Sequence, residues 1–333
     1  MLVPFSPGES LTVYRLQGRG LSLDLQRSLV QPCAPLREAW LSFLTQQAMG
    51  QATYVLYDPR DGEGFIQVQY RPHQAAADVA YLAPSLAVRP SAANAWARLL
   101  DGASIDVAAR GVQRLFASLP EVGPEMEVFA QAGFAIYACD EIFRLPQVAG
   151  RALSGPPGLR PQRTEDWPAL QKLCLAITPQ RVRQIEGGVA AAPAWGKRQV
   201  GYVLPGEANG DDLAAAVYIY TGGQAHRLRL LLRPDAAGAA GALIDWALSR
   251  LAGQPPRPVY CSVRQYESGI REPLLAAGFD LDHSRALVVK QTTALVKAAV
   301  QELVPALKGS AEPVYHSSQQ SAVTNHHSAA ADP

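Results

Sequence analysis

Two stretches of this sequence end alike: "FAQAGFAIYACDEIFR" at 129–144 and "LLAAGFDLDHSRALVV" at 274–289. Each carries an apolar helical pattern into Ala-Gly-Phe and then into alternating, strand-like residues. Glycine adopts the left-handed backbone that closes a helix, and the phenylalanine after it can fold back onto the apolar face. A helix, cap and strand used twice predict a duplicated domain of roughly 140 residues. The length of 333 residues agrees, since a single core rarely organises so long a chain.

The second copy parses as follows. "GLRPQRTEDWPALQKLCL" gives a short strand, a cap at Thr164 or Asp166, and a helix with Leu170, Leu173 and Cys174 on one face. "RQVGYVLPG" and "DDLAAAVYIYTGG" are strands ending in turns, and in "AHRLRLLLRP" Leu228, Leu230 and Leu232 alternate with Arg227, Arg229 and Arg233. "AAGALIDWALSRLAG" is a helix with Leu243, Trp246, Ala247 and Leu251 on one side; "RPVYCSVRQ", "SGIREPLLAAG" and "RALVVKQT" complete a strand, helix, strand series. The first copy repeats the order less clearly, with strands in "TYVLYD", "GFIQVQYR" and "ADVAYLAP", a helix in "SAANAWARLLDGASIDVAARG", and then "VQRLFASLP", "PEMEVFAQAG" and "YACDEIFRL".

These readings set expected boundaries. A first domain spans 1–147, a Gly/Pro-rich linker 148–157, and a second domain 158–292. An amphipathic helix follows at 293–308, suited to packing on the body or to a homodimer contact, and then a polar, disordered tail at 309–333. The five tryptophans, Trp195 among them, are expected in the core or at domain contacts.

Composition narrows the function. A net charge of +1 with scattered Lys and Arg offers no field built for nucleic acid, and no apolar run reaches the roughly 18 residues of a membrane span. Cys33, Cys139, Cys174 and Cys261 form no C-x-x-C pair, and His326 and His327 sit in the polar tail, so no metal is expected. The N-terminus lacks a charged segment followed by an apolar one, and the expected location is cytoplasmic.

The second copy resembles the GNAT superfamily of CoA-dependent N-acyltransferases. The likeness rests on "LRPQRTEDWPAL", on the strand, small-residue turn and helix of "LLLRPDAAGAAGALIDWAL", and on "REPLLAAGFDLD"; it covers about 158–292, with a weaker version over about 10–147. The fold it implies is α/β, two tandem GNAT-like domains, each a mixed, mostly antiparallel sheet flanked by helices. The cofactor it implies is acetyl-CoA or another acyl-CoA as co-substrate. A diphosphate needs small residues at a helix start, where amides and the helix dipole favour negative charge. Ala237, Gly238, Ala239, Ala240, Gly241 and Ala242 meet that need, although Ala237 replaces the family's Arg or Gln and Ala240 its second main Gly. The first copy has "SLAVRPSAANAW" there, without glycine and with bulky Val88 and Arg89, and is expected to be a packing partner.

The resemblance also implies roles in the chemistry. A backbone N–H near Leu232 would hold the thioester carbonyl. The family's acid, a Tyr five residues before the Phe of Gly-Phe, is Leu274 in the second copy and Phe129 in the first, which leaves water as the proton source or Tyr260 or Tyr266 as substitutes. His226 is the candidate base and Glu267 the second. The expected function is transfer of an acyl group from acyl-CoA to a small-molecule or peptide amine, from a donor site in the second domain. The rival readings are an acyl-CoA-binding or protein-interaction pseudo-acetyltransferase, and a purely structural tandem.

Overall fold

A computed structural model describes residues 2–24, 33–45, 50–58, 62–148, 155–187, 198–206 and 212–292. The expected C-terminal helix and tail, most of the linker, and Trp195 lie outside the described residues.

In the first half the elements are β1 (Leu2–Pro4), α1 (Ser10–Leu16), β2 (Leu21–Ser22), α2 (Pro35–Leu44), β3 (Gln51–Asp58), β4 (Gly62–Tyr70), β5 (Ala76–Ala83), α3 (Ala93–Ala109), β6 (Arg114–Pro120), α4 (Pro124–Gln131) and β7 (Ala135–Leu145). The second half has β8 (Arg160–Pro161), α5 (Trp167–Ile177), α6 (Gln180–Glu186), β9 (Gln199–Pro205), β10 (Leu213–Thr221), β11 (His226–Leu232), α7 (Ala240–Leu251), β12 (Val259–Arg264), α8 (Arg271–Ala276) and β13 (Asp280–Gln291). The strands form one mixed, mostly antiparallel sheet in the order β1-β3-β4-β5-β6-β13-β7-β12-β11-β10-β9-β8, with β2 beside β5.

The repeated Ala-Gly-Phe is a helix stop in both halves. Gly133 and Gly278 have φ of 86° and 89°, a region that side chains avoid. The next amide reaches back five residues, Phe134 to the Phe129 carbonyl and Phe279 to the Leu274 carbonyl, both at 3.0 Å. Both phenylalanines then bury against the helices they terminate.

Spatial order departs from chain order at the last strand of each half. β7 pairs with β12, as in Phe143 opposite Cys261, while β13 pairs with β6, as in Val288 opposite Ala117. β7 and β13 also pair with each other at the centre. Each half therefore completes its sheet with a strand from the other, and the described residues form one compact unit.

Helices cover both faces. On one, α3 and α4 pack over Leu115, Ala117 and Val288, while α7 and α8 pack over Phe143, Leu228 and Leu230. On the other, α1 and α2 cover Val55 and Phe65, and α5 covers Ala216 and Leu231. The periodicity of α7 explains its placement: Leu243, Ile244, Ala247, Leu248 and Leu251 are buried on one stripe. Each such leucine contributes about 1.5–3 kcal/mol relative to exposure.

Candidate acyl-CoA cleft

β11 and β12 run parallel but pair only from His226 opposite Val259 to Leu228 opposite Cys261. Beyond Leu228 they diverge into a V. The backbone direction along β11 follows from two hydrogen bonds: the His226 amide donates to the Pro258 carbonyl before β12, and the Arg233 amide donates to the Ala214 carbonyl on β10. Amides alternate sides along a strand. Leu230 and Leu232 therefore turn their N–H and C=O groups into the V, toward β12. Their side chains join the core under α7. Leu232, the expected carbonyl-holding position, thus presents its backbone to the cleft.

The small-residue turn closes the outer end of β11. Pro234–Ala239 form a 3-10 helix that runs directly into α7, so Ala237, Gly238 and Ala239 lie in the turn, and Ala240, Gly241 and Ala242 in the first turn of α7. A Cβ added to Gly238 or Gly241 would meet nothing within 4 Å, so the surface there is open to a bulky anion. The turn is tighter than an open nest of amides. Ala236 donates to the Arg233 carbonyl and Ala240 to that of Ala237, as 3-10 bonding requires, which takes these amides out of play. Ala237 also packs against Gly269, at the start of the segment leading to α8. Arg233 folds onto Asp235 in an exposed ion pair that holds the Asp235 carboxyl below its ordinary pKa.

The two residues named as bases are both engaged with the protein itself. His226 alternates with Leu228 onto the α7 face at the closed end of the V. It is 1% exposed, and its Nε2 lies 3.1 Å from the Pro255 carbonyl. That position is remote from the open end because β11 and β12 are still paired beside it. Glu267 accepts two hydrogen bonds from Arg229, at 2.6 and 2.5 Å, and one from the Arg264 amide at 3.0 Å. Burial opposes the charge of Arg229, but Glu267 outweighs it and raises the guanidinium pKa. With its oxygens so engaged, Glu267 ties the end of β12 to β11.

Arg229 also donates to the Ser262 carbonyl on β12 at 3.0 Å, bridging the V on the face away from α7. Beside it, Arg227 donates to the Ser262 hydroxyl at 3.2 Å. Arg264, the last residue of β12, pairs with Asp140 at 3.0 Å and Glu186 at 3.1 Å. Asp140 belongs to β7, so a strand of the first half braces the cleft of the second. The leucine-arginine alternation of β11 is visible in the sequence, yet both faces of β11 are covered, with Arg227 buried and Arg229 mostly so; the acids near β12 were the signal for that.

Leu274 and Phe129, at the family's acid position, are fully buried apolar core residues. Tyr260 packs near Tyr220 and Ala225 toward the closed end. Tyr266 follows the end of β12, and burial raises its pKa, which keeps it a proton donor.

The first half contains the matching V and fills it. β5 and β6 pair only from Ala76 opposite Arg114 to Asp78 opposite Phe116. Into the gap runs the chain at 21–24, with Leu21 opposite Leu82, the Leu23 amide donating to the Ala80 carbonyl at 2.9 Å, and the Ser118 amide donating to the Leu23 carbonyl at 3.2 Å. Leu23 is 2% exposed. Arg285, from β13, donates to the Ser118 hydroxyl at 3.0 Å and to the Ser22 carbonyl at 3.4 Å, and so pins the insert. The turn after β5 buries Leu86, and Trp96 donates to the Pro84 carbonyl at 2.7 Å.

No family model matches this sequence, and no curated protein matches it. Solved structures do match. A GCN5-related N-acetyltransferase from Sphaerobacter thermophilus aligns with a TM-score of 0.53, at 14% identity, over 88% of this chain and 96% of that one. The chain has the tandem GNAT fold. A tandem GNAT protein from the clavulanic acid biosynthesis pathway aligns with a TM-score of 0.51, at 14% identity, over 88% and 99% of the two chains. In GNAT terms the Vs of the two lobes are equivalent places, and they differ in what fills them. Among the described residues, no group of three or more His, Cys, Asp or Glu stands together as metal ligands, and no helix is long and apolar enough to cross a membrane.

Proposed function

We propose that this protein is an acyl-CoA-dependent N-acyltransferase that takes its donor in the second lobe. One observation carries the reading: Leu230 and Leu232 present backbone donors and acceptors to a V, whereas the equivalent edge of the first lobe is bonded to residues 21–24. An extended thioester arm forms strand-like hydrogen bonds along such an edge, and its diphosphate lies over Gly238 and Gly241 at the start of α7. The nitrogen of an amine acceptor attacks the thioester carbonyl; a C–N bond forms, the C–S bond breaks, the amine loses a proton and the thiolate gains one. The Leu232 amide polarises the carbonyl, and Tyr266 supplies the thiolate proton.

Isothermal titration of the full chain with acetyl-CoA tests the donor site. Binding is expected in the wild type and its loss in Gly238→Glu, through bulk and repulsion of the diphosphate. Equal affinity in the two proteins refutes the placement. A second reading, an acyl-CoA-binding protein without turnover, is favoured by the burial of Leu274 and by the engagement of Glu267 with Arg229. Thiol release from bound acetyl-CoA in the presence of an amine panel separates the two; binding without release selects the second.

A further inference from the structure

Tyr266 stands in a segment that is held from outside its own lobe. At the end of β12, residues 264–267 are tied down on both sides of it. Arg264 lies 3.0 Å from the Asp140 carboxylate on β7 and 3.1 Å from that of Glu186 on α6. The Gln265 amide donates to the Cys139 carbonyl, also on β7, at 3.0 Å. Glu267 accepts from the Arg264 amide at 3.0 Å and holds Arg229 on β11. Tyr266, half-buried, lies between these ties. The first half also places the second carboxylate on Arg264. Tyr137 on β7 donates to Glu186 at 3.1 Å, and Arg114 on β6 donates to the Ile185 carbonyl at the end of α6 at 2.9 Å.

The charges that reach Tyr266 are Arg264 on β12, Glu267 beside it, Glu186 on α6 and Arg229 on β11. Burial raises the phenol pKa, Arg264 opposes it most strongly, and Glu267 and Glu186 side with burial. A guanidinium near a phenol favours the phenolate, and a phenolate cannot donate a proton. The Asp140 side chain is only 8% exposed and that of Arg264 16%, so little water screens the pair. Asp140 thus draws Arg264 away from Tyr266 and offsets its charge. We propose that Asp140, a residue of the first lobe, is a positioning residue for the second-lobe reaction: through Arg264 it holds the Tyr266 hydroxyl in place and in its proton-bearing form. The inference rests on the reading of Tyr266 as the proton source for the thiolate. It gives the lobe with the filled V a part in the chemistry of the other.

The test titrates Tyr266 in the full-length protein without ligand. Its ionisation is read as the difference in phenolate absorbance between each protein and the same protein carrying Tyr266→Phe. Asp140→Asn leaves the charge of Arg264 unshared, and Tyr266 is expected to ionise at lower pH than in the wild type. Arg264→Gln removes that charge, and Tyr266 is expected to ionise at higher pH. A purely structural pair would loosen the same end of β12 in both variants and move the titration in one direction. Shifts of the same sign, or no shift in Asp140→Asn, overturn the proposal; if one variant fails to fold, the sign in the other decides. Thiol release from acetyl-CoA with an amine gives the second readout. Tyr266→Phe is expected to lose about 100-fold and Asp140→Asn about tenfold, the latter loss growing toward alkaline pH, while acetyl-CoA affinity in Asp140→Asn stays that of the wild type. Wild-type release by Asp140→Asn at alkaline pH also overturns the proposal. Wild-type release by Tyr266→Phe is a different failure, that of the acid assignment, and absence of acetyl-CoA binding is that of the donor site itself.

Discussion

The two Vs of this molecule have the same strand geometry and opposite interiors. In the first lobe the gap between β5 and β6 is closed by the protein's own backbone, with Leu23 buried in it and Arg285 clamping it from above. In the second, the gap between β11 and β12 is bridged by the Arg229 side chain, and the amide edge of Leu230 and Leu232 faces it. A splayed pair of strands leaves unpaired backbone groups in the interior, and such groups must find partners. One lobe meets that requirement with its own residues 21–24; in the other, the Leu230 and Leu232 edge faces the gap. The bracing residues are exchanged as well. Asp140 on β7 supports the second lobe through Arg264, and Arg285 on β13 supports the first through Ser118. Asp140 and Arg285 are directly opposed neighbours at the centre of the sheet.

The exchange gives the largest expected effect. Expressed alone, residues 1–147 or 158–292 leave β6 or β12 without one of its two neighbouring strands and expose Val288-facing or Phe143-facing core. Neither half is expected to show a cooperative unfolding transition by circular dichroism, whereas the two co-expressed halves are expected to recover one. A cooperative transition in either half alone would show that the lobes are independent and that the exchanged strands are incidental.

The bridge across the second V comes next. Glu267→Gln leaves the largely covered Arg229 guanidinium without its carboxylate and is expected to destabilise by about 3 kcal/mol. Replacing both, as Arg229→Met with Glu267→Gln, removes the uncompensated charge and is expected to restore much of the loss. Urea unfolding of the four proteins in the cycle measures both. Additive losses would mean that the pair is not coupled, and that the tie between β11 and β12 lies elsewhere.

Leu23→Ala probes the first V. It removes a side chain from a filled gap, at an expected cost of about 2–5 kcal/mol by the same urea measurement. Because Leu23 lies in the other lobe, acetyl-CoA affinity is expected to stay that of the wild type. A change in that affinity would join the two clefts into one functional unit and break the contrast between them.

How much of this was legible in the sequence follows from what each signal encodes. The Gly-Phe stops were legible, because a left-handed residue at a helix end is a local requirement, and Gly133 and Gly278 meet it identically. The strand series and the α/β tandem architecture were legible from periodicity. The exchange of β7 and β13 was not, since alternation in "YACDEIFRL" and "RALVVKQT" states which residues share a face and is silent on which strand lies alongside. The insert at 21–24 was equally hidden: β2 is a two-residue strand, shorter than any periodicity can register. At the site, the open small-residue surface of Gly238 and Gly241 was legible from composition, but the 3-10 winding of Pro234–Ala239 was not, because alanine and glycine permit either an open nest or a tight turn. His226 looked like a base by its distance from Pro234; its burial against Pro255 depends on a loop that comes 29 residues later.

The smallest expected effect compares the entries to the two lobes. Each lobe receives a backbone amide on an acid three residues ahead: the Ser6 amide donates to Glu9 at 2.7 Å, and the Arg163 amide to Asp166 at 2.6 Å. Only the second adds an arginine, Arg160, which donates to both Asp166 oxygens at 2.8 and 2.6 Å. That contact first, and the amide after it, hold the Asp166 carboxyl below its ordinary pKa. A depressed carboxyl contributes stability above the unfolded value of about 3.9 and loses it as the pH falls toward the folded value. Arg160 is one-third exposed, so solvent screening limits the contribution to about 1 kcal/mol. Asp166→Asn is therefore expected to be slightly less stable than the wild type at pH 7, with the difference shrinking as the pH is lowered through 4. Urea midpoints at the two pH values check it. A difference that stays constant with pH would mean that Asp166 acts through the shape of its cap and not its charge, and the two lobe entries would then be equivalent devices.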